Sequence, residues 1–241
     1  MTLTSKNALI TGASRGIGRS IALGLAKSGA HIIACGRSKS GLVALDDEIF
    51  EATGRHATLI PFDLTDIDMI DNLGSHIAER FGHLDIFVHS AAILGPLTPV
   101  THIELKDFDR LFKINFQGVW RLLRTLEPSL RASAAARAIF LTSSESVVKG
   151  RAFWGGYGMT KAAMETMVRA FADETEITTM RAILLDPGPM RTQMRASAFP
   201  GEDPLSLPHP DEIVPLVLKL CDPNQDTPTE TVHFRDTVLV S

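Results

Sequence analysis

Residues 7–18 read NALITGASRGIG. The first five form a short apolar run of strand type. Glycines at 12, 16 and 18 follow at once, and a segment of helical composition comes next. Strand, tight glycine turn and helix in that order form a βα unit suited to a dinucleotide. Glycine allows the turn and lets the backbone approach a pyrophosphate. The helix N-terminus then offers N–H groups and the positive end of its dipole. Gly12, Ser14, Arg15, Gly16, Ile17 and Gly18 are the residues this reading places at the phosphates. The spacing is G-x-x-x-G-x-G rather than G-x-G-x-x-G, so the turn alone points to a nucleotide without saying which.

The same alternation runs outward along the chain. Apolar runs at 7–11, 31–35, 57–61, 85–89, 138–142, 181–185 and 231–234 alternate with helical segments at 17–28, 40–53, 66–80, 104–131, 157–175 and 210–221. The pattern predicts an α/β, doubly wound Rossmann fold, with a single seven-stranded, mostly parallel sheet and helices on both faces. Nearly continuous apolar strands suit burial on both faces. No linker or repeat divides the chain, so residues 1–241 are expected to form a single domain. The segment 187–211, with six prolines, is a long loop of the kind that often acts as a substrate lid.

Bulk composition excludes several classes. The chain has 241 residues, 44% of them hydrophobic and 22% charged, with a formal net charge of −4. No Lys/Arg run exists to follow a phosphate backbone, so no nucleic-acid partner is expected. No apolar run approaches the length of a membrane span, and the N-terminus lacks a secretory layout. Cys35 and Cys221 fit neither a zinc pattern nor a redox pair. The expectation is a cytoplasmic protein with no metal site.

After the second strand the sequence is CGRSKS, residues 35–40. An acid here would receive the ribose 2′-hydroxyl of NAD, whereas an arginine suits the 2′-phosphate of NADP. There is no acid. Arg37 and Ser38 occupy the place, with Arg15 as a second cation, and the cofactor expected is NADP(H).

One tyrosine stands among twelve phenylalanines, in FWGGYGMTK at 153–161. On a helix Tyr157 and Lys161 share a face. A cation beside a phenol lowers its pKa, which would make Tyr157 an acid/base group. Ser144, in FLTSSES, lies thirteen residues earlier, at the carboxyl end of the fifth strand where ligands of open α/β sheets bind.

TGASRGIG, Ser144 and Tyr157-x-x-x-Lys161, in this order, resemble the short-chain dehydrogenase/reductase family over essentially the whole chain. Asp63-Leu64 in PFDLTD, Asn115 in KINFQG, and Pro187-Gly188 with Thr192 in DPGPMRT extend the resemblance. MRASAFPGEDP, at 194–204, resembles one bacterial branch of that family. The resemblance implies that Tyr157 exchanges a proton with the substrate oxygen, with Ser144 positioning that oxygen. It implies that Lys161 holds the nicotinamide ribose and that Asn115 anchors a water in a proton relay. Asp63 and Leu64 would contact adenine, and Pro187, Gly188, Met190 and Thr192 the nicotinamide. Where the family commonly has N-N-A-G, this chain has HSAA at 89–92, which places Ser90, Ala91 and Ala92 beside the adenosine. His89 then reads best as a buried ring taking over backbone hydrogen bonds. The C-terminal TPTETVHFRD, 227–236, lacks the family's glycines.

The implied activity is NADP(H)-dependent interconversion of a carbonyl compound and a secondary alcohol. A non-catalytic dinucleotide-binding sensor or scaffold is the alternative, and the Ser-Tyr-Lys set argues against it. Ile93, Phe153, Trp154 and Met194 are candidate substrate contacts and suggest an apolar or aromatic small molecule. The segments 104–131 and 157–175 are apolar over more than one face. They are therefore expected to join subunits in a homodimer or homotetramer, with outward positions such as Val168 at the joint.

Overall fold

The computed structural model describes residues 2–143, 150–225 and 230–238. Seven strands form one sheet: β1 (Asn7–Thr11), β2 (His31–Gly36), β3 (Thr58–Pro61), β4 (Ile86–His89), β5 (Arg137–Leu141), β6 (Arg181–Asp186) and β7 (Val232–His233). Their order across the sheet is β3-β2-β1-β4-β5-β6-β7, and every neighbouring pair is parallel. The strand order reverses between β1 and β4, which opens a crevice at their carboxyl ends. This is the doubly wound fold expected from the alternating pattern.

Successive residues of each strand feed opposite faces of the sheet. Ile10, Ile32, Val88, Ile139 and Ile183 point to one layer. There they pack against α1 (Gly16–Lys27), α2 (Lys39–Thr53) and α8 (Val214–Leu220). Leu9, Ile33, Phe87, Phe140 and Leu184 point to the other layer, made by α3 (Ile67–Phe81), α5 (Gly118–Arg131) and α6 (Gly155–Glu174). Burial on both sides explains why the central strands read as unbroken apolar runs.

Three segments differ from the sequence expectation. The 104–131 helix is divided: α4 (Leu105–Phe112), a π-helical turn (Lys113–Gln117), then α5. The 187–211 loop contains α7 (Gln193–Ala198) and a 3₁₀ turn at Pro204–Ser206. The expected strand 231–234 keeps only two residues, since Phe234 begins the short helix α9 (Phe234–Val238).

The face of α6 is also corrected. Glu165 belongs to an i,i+4 polar stripe on paper, yet it is buried, and the Thr142 hydroxyl donates to its carboxylate. Val168 is 1% exposed and packs on the sheet, so it is not an outward position. A buried carboxylate with a partner looks identical to a solvated one in sequence. Large apolar side chains that do face solvent include Leu105 and Phe108 on α4, Trp120 on α5 and Met159 near the start of α6.

Candidate active site

The turn between β1 and α1 is built by close approach. Gly12 has φ of +70°, and a Cβ there would lie 2.9 Å from the Ala91 backbone nitrogen. A Cβ on Gly18 would lie 2.5 Å from the Gly12 carbonyl oxygen. Neither position accepts a side chain without moving backbone. The turn therefore packs against the HSAA segment at the end of β4 and leaves the N-terminus of α1 open to the crevice.

That crevice is a cleft of about 760 Å³. Gly12, Ser14, Arg15, Gly16, Ile17, Arg37, Ser38, Asp63, Leu64, Ser90, Ala91 and Ala92 all line it, as do Ile93, Thr192 and Met194. Gly18 lies behind the wall and is buried. Sequence reasoning missed Cys35, Arg19, Gln193, His209 and Pro210, which also line it. The last three come from the segment after β6, so no local pattern joins them to the glycine turn. The side chain of Arg15 bridges the gap by donating to the Gln193 carboxamide oxygen.

Arg37 lies just past the end of β2 with its guanidinium 3.8 Å from the Asp63 carboxylate, both half exposed. Ser38 has a second task, since its hydroxyl accepts from the Gly41 N–H and caps α2. The cleft fits a dinucleotide on three counts. Glycines bring main chain to its floor, a helix N-terminus opens into it, and a cation stands at the end of β2 where an acid would select a free ribose.

A second cleft of about 510 Å³ adjoins the first along Ile17, Thr192 and Met194. Tyr157, Trp154, Pro187, Gly188 and Met190 line it, together with Leu94 and Ser143. Trp154 meets Tyr157 edge to face, with ring centres 6.0 Å apart. Ser144 lies outside the described residues. Phe153 does not reach this cleft. Its backbone takes a left-handed φ of 71°, its carbonyl accepts from Thr98, and its ring is 54% exposed. Ile93 faces the first cleft instead of the second.

Lys161 follows Tyr157 by one turn of α6 and is almost fully buried. Its ammonium donates to the Leu141 carbonyl at 2.8 Å and sits 5.8 Å from the centre of the Tyr157 ring. Burial pulls the Lys161 pKa down to about 8, against the opposing pull of Glu165 and Asp186. Tyr157 departs from the sequence expectation. Burial, reinforced by the Asp186 carboxylate, pushes its phenol above its ordinary range. Desolvation outweighs a cation that is turned toward a main-chain carbonyl.

Asn115 sits in the π-helical turn and is buried. Its side chain is fully engaged. The carboxamide oxygen accepts from Ile93 N–H at 2.9 Å, and the nitrogen donates to the Ile93 carbonyl and the Thr160 hydroxyl. It thereby ties the chain after β4 to α6. His89, at the end of β4, bonds through Nδ1 to the Thr11 hydroxyl at 3.0 Å. The same hydroxyl accepts from the Ser90 and Ala91 N–H groups. Burial and the nearby Lys161 bring the His89 pKa down to about 3, so the ring is neutral.

Residues 6–203 match the model of the short chain dehydrogenase family. The chain belongs to that family. It is 37% identical over 220 residues to the oxidoreductase YciK of Escherichia coli K12, covering 90% of this chain and 86% of the relative. It is 30% identical over 197 residues to an NADPH-dependent pterin aldehyde reductase of Arabidopsis thaliana, covering 82% and 80% of the two chains. A short chain dehydrogenase from Escherichia coli CFT073, solved in complex with NADPH, superposes with a TM-score of 0.91 at 35% identity. That match covers 95% of this chain and 96% of the other. This short-chain dehydrogenase is therefore an oxidoreductase of a family that uses nicotinamide dinucleotides, and NADP has been seen bound to proteins similar to it.

Proposed function

We propose that this short-chain dehydrogenase is an NADP(H)-dependent oxidoreductase that interconverts a carbonyl compound and a secondary alcohol. The observation that carries the reading is the position of Tyr157. It lines the wall of the second cleft, one helical turn from a buried lysine, and that cleft adjoins the glycine-lined one along Ile17, Thr192 and Met194. Gly12 to Gly18, Arg37, Ser38, Asp63 and Leu64 would hold the adenosine and phosphates. Pro187, Gly188, Met190 and Thr192 would flank the nicotinamide, which supplies the hydride when bound.

The protein's own share is position and a proton. The raised pKa keeps Tyr157 a phenol, ready to protonate a carbonyl oxygen in reduction. In the opposite direction the phenolate must form, and Lys161 charge together with an oxidised nicotinamide would favour it. Either Ser144 or its neighbour Ser143 would orient the substrate oxygen. With the Asn115 side chain committed to Ile93 and Thr160, a relay water at Asn115 would be held through main chain.

The same reading makes 1–241 one catalytic domain with 187–211 as its lid, acting on a small molecule in a reducing, cytoplasmic setting. Both cysteines are free and buried, and no helix among the described residues is long and apolar enough to cross a membrane. The exposed Leu105, Phe108 and Trp120 favour a homo-oligomer joined through α4 and α5. Light scattering of the native protein measures this, and a monomer would reject it.

The activity is tested with a panel of aldehydes and ketones and NADPH, following cofactor oxidation beside a Tyr157→Phe variant. Turnover that survives in Tyr157→Phe rejects the mechanism. NADH preferred to NADPH rejects the cofactor assignment.

A further inference from the structure

We infer that the substrate cleft recognises a carboxylate on its carbonyl substrate, and that Arg235 is the residue that binds it. This rests on the reductase reading above and adds a substrate class to it.

Arg235 comes from the C-terminal segment, just after β7. Its side chain lies along the Pro187–Gly188 turn, where a Cβ on Gly188 would stand 3.2 Å from its Nε. Both residues line the cleft that holds Tyr157. Among the described residues three arginines line that cleft, Arg151, Arg195 and Arg235, against one carboxylate, Asp186. Arg195 is held by two hydrogen bonds of 2.6 Å to Glu202. Arg151 spreads over the Trp154 and Phe199 rings. Asp186 lies 3.3 Å from the His233 ring and accepts from the Gly188 N–H. Among the described residues Arg235 forms no ion pair or hydrogen bond. Its planar fork is therefore available, and it matches a carboxylate through two parallel hydrogen bonds.

Trp154, Met194 and Ala198 give the same cleft an apolar surface. A ligand that fits has a carbonyl at Tyr157, a flat or apolar body along Trp154, and a carboxylate at Arg235. The sequence reading toward an apolar or aromatic small molecule did not include this cation, because Arg235 lies far along the chain from the catalytic motif.

The test uses acetophenone and para-carboxyacetophenone, ketones whose reduction gives secondary alcohols, as paired probes. Calorimetry measures their binding to the NADP⁺-loaded native protein and to Arg235→Gln and Arg235→Lys, with NADPH oxidation followed in parallel. The native protein should bind the carboxylated probe about tenfold more tightly than the neutral one. Arg235→Gln should erase that preference while keeping its affinity for NADP⁺, and Arg235→Lys should restore part of it. No preference in the native protein overturns the inference. So does a preference that survives in Arg235→Gln, or a loss in that variant confined to NADP⁺ affinity. An Arg235-dependent preference without NADPH oxidation leaves the carboxylate subsite standing and sinks the reductase reading.

Discussion

The two clefts are built in opposite ways. The cofactor cleft is assembled mainly from the turns that leave β1, β2, β3 and β4, and much of its floor is main chain brought close by Gly12 and Gly18. The substrate cleft is assembled mainly from residues after β5 and β6, the start of α6 and the last strand with the residues after it, and it brings Trp154, Tyr157 and three arginines together. A common ligand can be met by backbone geometry, which any chain with the right glycines repeats. A particular substrate needs particular side chains, which arrive from distant parts of the sequence.

Tyr157→Phe should break the pair most sharply. Loss of a positioned acid/base group costs about a thousandfold in turnover, while NADPH binding in the neighbouring cleft persists. Turnover rates and NADPH titration of the same variant check both halves.

Lys161, buried one turn from Tyr157, has a pH signature. Its pKa falls from 10.5 unfolded to about 8 in the folded chain. Between those values the unfolded state binds more protons, so stability rises with pH across that window. Below it the folded chain carries the full cost of a buried ammonium, about 3 kcal/mol. Relative to Lys161→Met, the native protein should therefore gain about that much as pH climbs through the window. Urea unfolding of both proteins measures it, and a gap that does not change with pH would contradict it.

Arg37→Asp should act on the cofactor cleft alone. If Arg37 meets the 2′-phosphate as proposed, NADPH affinity should fall roughly thirtyfold more than NADH affinity. An equal loss for both would place Arg37 outside recognition. The smallest effect is spectroscopic. Tyr157 is the only tyrosine, so tyrosinate absorbance reports it without assignment. The midpoint should lie above the free value of about 10 in the protein alone and drop when NADP⁺ binds. A midpoint below 10 without cofactor would mean that the Lys161 charge outweighs burial.

Legibility in the sequence follows the same division. The sheet could be read because each buried strand is an apolar run and each glycine turn has a steric reason. The lining of the first cleft could be read because most of it is local to βα turns. The polarity of α6 could not, because Glu165 is buried against Thr142 and a pattern does not distinguish a paired carboxylate from a wet one. The direction of the Tyr157 shift could not, because it depends on how deeply the phenol sits and where the Lys161 ammonium turns. Arg235 and Phe153 were misjudged for a related reason. Distance along the chain hid the first, and closeness to Tyr157 overstated the second.

The last strand holds the sheet by two residue pairs only, Leu185 with Val232 and Asp186 with His233. Yet it delivers His233 and Arg235 to the substrate wall. Phe234 within the same segment is 4% exposed and packs into the core. The segment therefore behaves as a cartridge with a fixed pin. With Phe234 kept, the exposed Arg235 can be exchanged at little cost to the sheet, and selectivity would be re-addressed while the glycine turn and the phenol stay in place.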